Sequence, residues 1–178
     1  MPNTTKIAAV LRVNGREYPV DLDPHTGLLD AVREELGLTG SKEGCDDSEC
    51  GACMMLLDGE PVNSCSYLAL QAVGREVTTV EGLTGNDEVG PLQRAFLQQG
   101  AVQCGFCTPG MLVSATALLR RNPDPTEEEI RSGLSGNLCR CTGYRGIVRA
   151  VQQVASGEVP PLGTAPVHAD RTPPHHAG

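Results

Sequence analysis

The chain has no tryptophan and only two phenylalanines and three tyrosines among its 178 residues. Small domains with so few aromatic side chains have thin cores, and thin cores need staples such as metals or disulfides. No apolar run reaches 18 residues, which argues against a membrane-spanning helix. Basic residues are scarce: 14 Lys and Arg face 22 Asp and Glu, a formal net charge of −8. Phosphate contacts need clustered Lys and Arg, so nucleic acid is not an expected partner. No Ser/His/Asp set, P-loop or G-x-G-x-x-G segment occurs. Residues 1–10 carry one Lys and a short apolar stretch that soon meets Arg12, with neither a secretory h-region nor a twin-Arg pair. The expectation is a soluble, cytoplasmic protein, in which cysteines bind metals or do chemistry more often than they pair as disulfides.

Cysteine is what the chain has in quantity. Its eight cysteines form two groups of four with none left over. Cys45, Cys50, Cys53 and Cys65 read C-x4-C-x2-C-x11-C, and the first three have the plant-type ferredoxin spacing for a 2Fe-2S cluster. Such a run must curl around its cluster, and Gly44, Gly51 and Ala52 supply the small residues a curl needs. Structural zinc also takes four thiolates, but its sites more often show paired C-x2–4-C knuckles. Cys104, Cys107, Cys139 and Cys141 read C-x2-C-x31-C-x-C, a pattern that suits zinc or a cluster about equally. Dithiol redox chemistry would want a βαβ setting that Cys104 lacks, and disulfides would leave about 105 pairings open.

The two halves differ in period. Residues 6–13, the Asn14-Gly15 turn and Arg16–Val20 predict a hairpin. Leu28–Leu36 has helical spacing, with Gly37 as its C-cap. A Gly- and Asp-rich loop over 39–52 precedes a second hairpin turning at Asp58-Gly59, a short helix over Ser64–Val73 and a closing strand over Glu76–Val80. Beyond it, Val89–Gln99, Pro109–Arg121, Thr126–Leu134 and Tyr144–Ala155 predict helices, with Thr126 and Glu129 as a capping box. The fold class is therefore α+β, with residues 1–82 as a β-grasp ferredoxin-like domain and 83–156 as a four-helix bundle. Residues 157–178 hold five of the 13 prolines and read as a disordered tail.

The segments Gln103-Cys-Gly-Phe-Cys-Thr-Pro-Gly110 and Gly136-Asn-Leu-Cys-Arg-Cys-Thr-Gly-Tyr144 resemble the signature segments of the xanthine oxidase family of molybdenum hydroxylases. Over about residues 6–155 the chain resembles the family's separate iron–sulfur small subunit. The resemblance implies two 2Fe-2S clusters in this chain. Cys45, Cys50, Cys53 and Cys65 would hold the one nearer flavin, and Cys104, Cys107, Cys139 and Cys141 the one nearer molybdenum. It further implies that Gln103 contacts the pterin, with Cys141 beside it at the cofactor. The implied partners are a large subunit with the molybdopterin cofactor and a medium subunit with FAD, paired as a dimer of heterotrimers. The implied function is electron transfer from molybdenum to FAD, one electron at a time, with no substrate chemistry on this chain. A stand-alone ferredoxin carrier and a zinc-stapled interaction module are the competing readings.

Blander readings attach to the remaining features. Arg140 suits a surface Arg as well as a tuning charge, and Asp46, Asp47 and Glu49 suit a solvated loop better than a docking one. His175-His176 could bind a metal only weakly, and His25 and His168 have no evident partner.

Overall fold

A computed structural model of the chain describes residues 5–84 and 89–159. Strands β1 (Ile7–Val13) and β2 (Arg16–Leu22) pair antiparallel across Asn14-Gly15, whose φ angles of 54° and 73° are those of a tight hairpin turn. Strands β3 (Met54–Leu57) and β4 (Glu60–Asn63) repeat the device across Asp58-Gly59, at 51° and 87°. Strand β5 (Glu76–Thr78) enters between the hairpins, parallel to β1 and antiparallel to β3, giving the order β2-β1-β5-β3-β4.

Helix α1 (Leu28–Asp30) runs on into a π-helical turn (Ala31–Glu35) and buries Leu28, Leu29, Ala31 and Val32 against the sheet. The segment expected as one helix over Ser64–Val73 is instead two 3-10 turns, Ser64–Ser66 and Ala69–Ala72. Between them Tyr67 and Leu68 are extended. The Leu28 amide donates to the Tyr67 carbonyl at 2.6 Å, and Leu68 bridges Gly27. This tertiary pairing outbids helix propensity there.

The second half is helical, as its period requires. Helix α2 (Pro91–Gln98) starts with proline in its first turn and buries Ala95 and Phe96. Helix α3 (Thr108–Arg121) is the long central element. Helix α4 (Glu127–Gly133) has the expected capping box, with the Glu129 amide donating to Thr126 Oγ1 and the Thr126 amide to Glu129 Oε2. Helix α5 (Arg145–Ala155) buries Ile147, Val148, Ala150 and Val151 along one face. Phe96, Met111, Ile130 and Ile147 centre this core, while Leu11, Leu28, Met55 and Leu57 centre the sheet's own.

A third, smaller core joins them. Strand β3 is buried on both faces, Met55 and Leu57 toward α1, Met54 and Leu56 toward Val113 and Ala117 of α3. Among the described residues no helix is long and apolar enough to cross a membrane. The tail expected over 157–178 lies outside the described residues from 160 onward.

Candidate metal centres

The first cysteine set sits in the loop between α1 and β3, closed by the turn after β4. Three positions make this loop curl, with left-handed φ at Asp46 (67°), Ser48 (66°) and Gly51 (68°). Two of these are not glycine, and nothing in the sequence marked them. Gly44 matters for space, since a Cβ there would lie 2.8 Å from Cys50 Sγ. The Cys50 amide donates to Cys45 Sγ at 3.3 Å, and Asn63 Nδ2 ties the loop down at the Ser48 carbonyl, 3.0 Å away. Ser64 Oγ donates to the Cys53 carbonyl at 2.6 Å.

The second set comes from two loops at one end of the helices. Cys104 and Cys107 lead into α3, and Cys139 and Cys141 precede α5. Thr142 donates its backbone N–H to Cys139 Sγ at 3.4 Å, and its Oγ1 lies 3.0 Å from the same sulfur. The Cys139 amide donates to the Tyr144 phenol oxygen at 2.8 Å. Cys104 and Cys141 are exposed, as are Gln103 and Arg140 beside them.

Within each set the thiols lie near enough to affect one another's ionisation: Cys50 feels Cys45 and Cys65, Cys53 feels Cys65 and Cys50, Cys107 feels Cys139 and Cys104, and Cys141 feels Cys104 and Cys139. Among the described residues no three Cys, His, Asp or Glu side chains gather closely enough for one ion. Four thiols per set are the number a two-iron core needs, with two terminal ligands on each iron. Burial pushes the Cys53 thiol up to about 11 and the Cys107 thiol up to about 12. Such sites favour a thiolate only when a bound cation neutralises it. Burial also raises Cys139, but its hydrogen bonds to Thr142 overcome this and hold it below the ordinary thiol value. The donor sets thus fit two iron–sulfur groups.

Sequence reasoning missed how the two loops meet. The Leu138 amide donates to the Cys50 carbonyl at 2.9 Å, and buried Asn137 donates from Nδ2 to the Gly51 carbonyl at 3.0 Å. A Cβ on Gly51 would lie 2.3 Å from the Gly136 carbonyl oxygen, and one on Gly110 would lie 2.1 Å from that of Gly51. Bare backbone from the two sets is therefore in direct contact. The signal was a glycine in the first turn of a long helix and an Asn two residues before Cys139. The other singled-out residues stand apart: Asp46, Asp47 and Glu49 are exposed, His25 is exposed, and His168, His175 and His176 lie outside the described residues.

Residues 11–81 match the family model described as 2Fe-2S iron-sulfur cluster binding domain, and residues 79–152 match that described as 2Fe-2S binding domain. The nicotinate dehydrogenase small FeS subunit of Eubacterium barkeri is 50% identical over 147 residues, covering 83% of this chain and 94% of its own. The xanthine dehydrogenase iron-sulfur-binding subunit of Escherichia coli O157:H7 is 44% identical over 153 residues, covering 85% and 96%. A chain in the crystal structure of quinoline 2-oxidoreductase from Pseudomonas putida 86 superposes with a TM-score of 0.83 at 44% identity, covering 86% of this chain and 95% of that one. With two 2Fe-2S domains and these relatives, the chain belongs to the iron–sulfur subunits of the xanthine oxidase family of molybdenum hydroxylases.

Proposed function

We propose that this chain is the electron-transfer subunit of a heterotrimeric molybdenum hydroxylase, relaying electrons one at a time from a molybdopterin centre through two 2Fe-2S clusters to FAD. One observation carries the reading: two complete four-thiol sets whose loops meet directly, through the Leu138 amide on the Cys50 carbonyl, the Asn137 amide group on the Gly51 carbonyl and the close approach of Gly51 to Gly110. In this reading Cys45, Cys50, Cys53 and Cys65 hold one cluster, and Cys104, Cys107, Cys139 and Cys141 hold the other. Residues 1–82 form the β-grasp domain and 83–156 the four-helix bundle.

When bound, each iron–sulfur group supplies a one-electron acceptor and donor. The protein's own residues bind it, screen it and fix its place. Cys53 and Cys107 bring one edge of each group inside an apolar shell. Asn137 and Leu138 hold the two ligand loops at a fixed separation. The exposed end with Gln103, Cys104 and Cys141 faces the large molybdopterin subunit, with Gln103 toward the pterin. The Asp46–Glu49 loop faces the medium FAD subunit. The assembly is a dimer of heterotrimers working in the cytoplasm.

Phe106, between two of the candidate ligands, is 47% exposed, and Leu138, beside a third, is 56% exposed. Large apolar side chains next to exposed thiols suit a permanent partner better than a diffusing ferredoxin. The test is purification of the complex from its host, followed by metal, sulfide, flavin and pterin analysis. About four irons and four sulfides per chain are expected, by two irons per cluster. Stoichiometric zinc without labile sulfide, or a chain that purifies alone, would overturn the proposal.

A further inference from the structure

The turn from Cys139 to Tyr144 contains an arrangement found at no other cysteine among the described residues: a side-chain hydroxyl at the sulfur. Thr142 Oγ1 lies 3.0 Å from Cys139 Sγ, and the Thr142 amide donates to the same sulfur at 3.4 Å. The hydroxyl's orientation is governed by its neighbour. The Tyr144 amide donates to Thr142 Oγ1 at 3.2 Å, which occupies an oxygen lone pair. A thiolate bound to iron can only accept, so the single Thr142 hydroxyl proton turns to sulfur.

The turn is also built at a backbone cost. Tyr144 is left-handed with φ 66°, directly after Gly143 at 62°, and a bulky residue rarely adopts this conformation. Its phenol oxygen accepts the Cys139 amide at 2.8 Å, closing the turn on itself. Tyr144 thereby points its own amide at Thr142 and keeps the Cys139 amide occupied. By contrast, Cys45 Sγ in the first set receives the backbone amide of Cys50 and no hydroxyl.

Hydrogen bonds to a ligand sulfur draw off electron density and favour the reduced state of an iron–sulfur group. We propose that Thr142 is a positioning residue that raises the reduction potential of the group held by Cys104, Cys107, Cys139 and Cys141, its hydroxyl donating to Cys139 Sγ and Tyr144 fixing it there. This rests on the reading that the second set holds a 2Fe-2S cluster.

The experiment is a redox titration of the purified holo-complex followed by EPR, comparing wild type with Thr142→Val, Thr142→Ala and Thr142→Ser. The valine and alanine variants lack the hydroxyl, and the serine variant keeps it. The expected result is a loss of about tenfold in the reduction equilibrium of the second cluster for Val and Ala, about 59 mV for one electron. The serine variant stays close to wild type, and the first cluster does not move in any of them. An unchanged potential in Thr142→Val or Thr142→Ala overturns the inference, as does an equal shift in Thr142→Ser. If Val and Ala fail to load the second cluster while Ser loads it, Thr142 has a structural role and the inference also falls. A wild-type complex with only one iron–sulfur EPR signal would instead bring down the underlying reading.

Discussion

Gly110 tests the contact between the two loops at the scale of one residue. In an ordinary helix, replacing glycine with alanine stabilises by about 1 kcal/mol. Here the added Cβ would meet the Gly51 carbonyl oxygen at 2.1 Å, and that carbonyl is already held by Asn137. The sign therefore reverses: Gly110→Ala should lower stability by about 1–3 kcal/mol, the usual cost of forcing atoms into a filled core. Urea unfolding of the holo-protein would measure it, and a stabilised variant would contradict the contact. Cys50→Ser makes a complementary case. It removes a thiol but keeps the carbonyl that accepts from Leu138, so the second EPR signal should persist when the first is lost. At this scale Cys45, Cys50, Cys53 and Cys65 stood out by a chemically demanding spacing, whereas Cys104, Cys107, Cys139 and Cys141, whose spacing suits zinc or a cluster about equally, were read as a cluster set through the family resemblance. Asn137, Thr142 and Tyr144 were not, because each acts through a partner that only the fold supplies. Asp46 and Ser48 were hidden for a related reason, since a left-handed angle at a non-glycine is imposed by the loop around it.

Among the elements, α4 is the most self-contained and so the best place to test a local rule. Its seven residues are held at the start by Thr126 and Glu129. Thr126→Ala should cost about 1 kcal/mol, as is usual for an N-cap. The Glu129 carboxyl is held below its ordinary value by hydrogen bonds from the Thr126 amide and hydroxyl. A carboxyl depressed in the folded state gives stability that is complete above its unfolded value and fades as pH falls through the folded one. Acid titration of helicity should show this loss below about pH 4.3, the ordinary glutamate value, and Glu129→Gln should remove it. The four long helical periods were readable for the same local reasons. The pairing of β5 between two hairpins was not, because strand order depends on contacts far apart in sequence. One clue was present: Met54-Met55-Leu56-Leu57 does not alternate, and a strand without a polar face is covered on both sides.

For the whole molecule, the charge and the route of electrons can be tested together. Two clusters would take the formal charge from −8 to about −12, since each adds roughly −2 with its thiolates. In a Cys104→Ser complex that still assembles, substrate should reduce molybdenum while flavin stays oxidised. Stopped-flow absorbance, with iron–sulfur bleaching and flavin reduction followed separately, would show it. Normal flavin reduction in a complex proven to lack the second cluster would exclude the proposed route. Deleting residues 160–178 should leave iron content and assembly unchanged, since all three described cores close between Leu11 and Val154. Loss of a cluster in the truncated chain would show otherwise.

The contact of Gly51 with Gly110 and Asn137 also restricts which sequences can be recombined. A join of glycine backbone closed by one buried amide side chain has little through which to adjust, so a mismatched half cannot be accommodated by repacking. A chimera grafting the sheet half of this chain onto a relative's helices would inherit a working junction only if the donor also carries glycine at 110 and an amide side chain at 137. Where either differs, the two halves would have to be exchanged as one unit, and the boundary between them would be a poor place to cross.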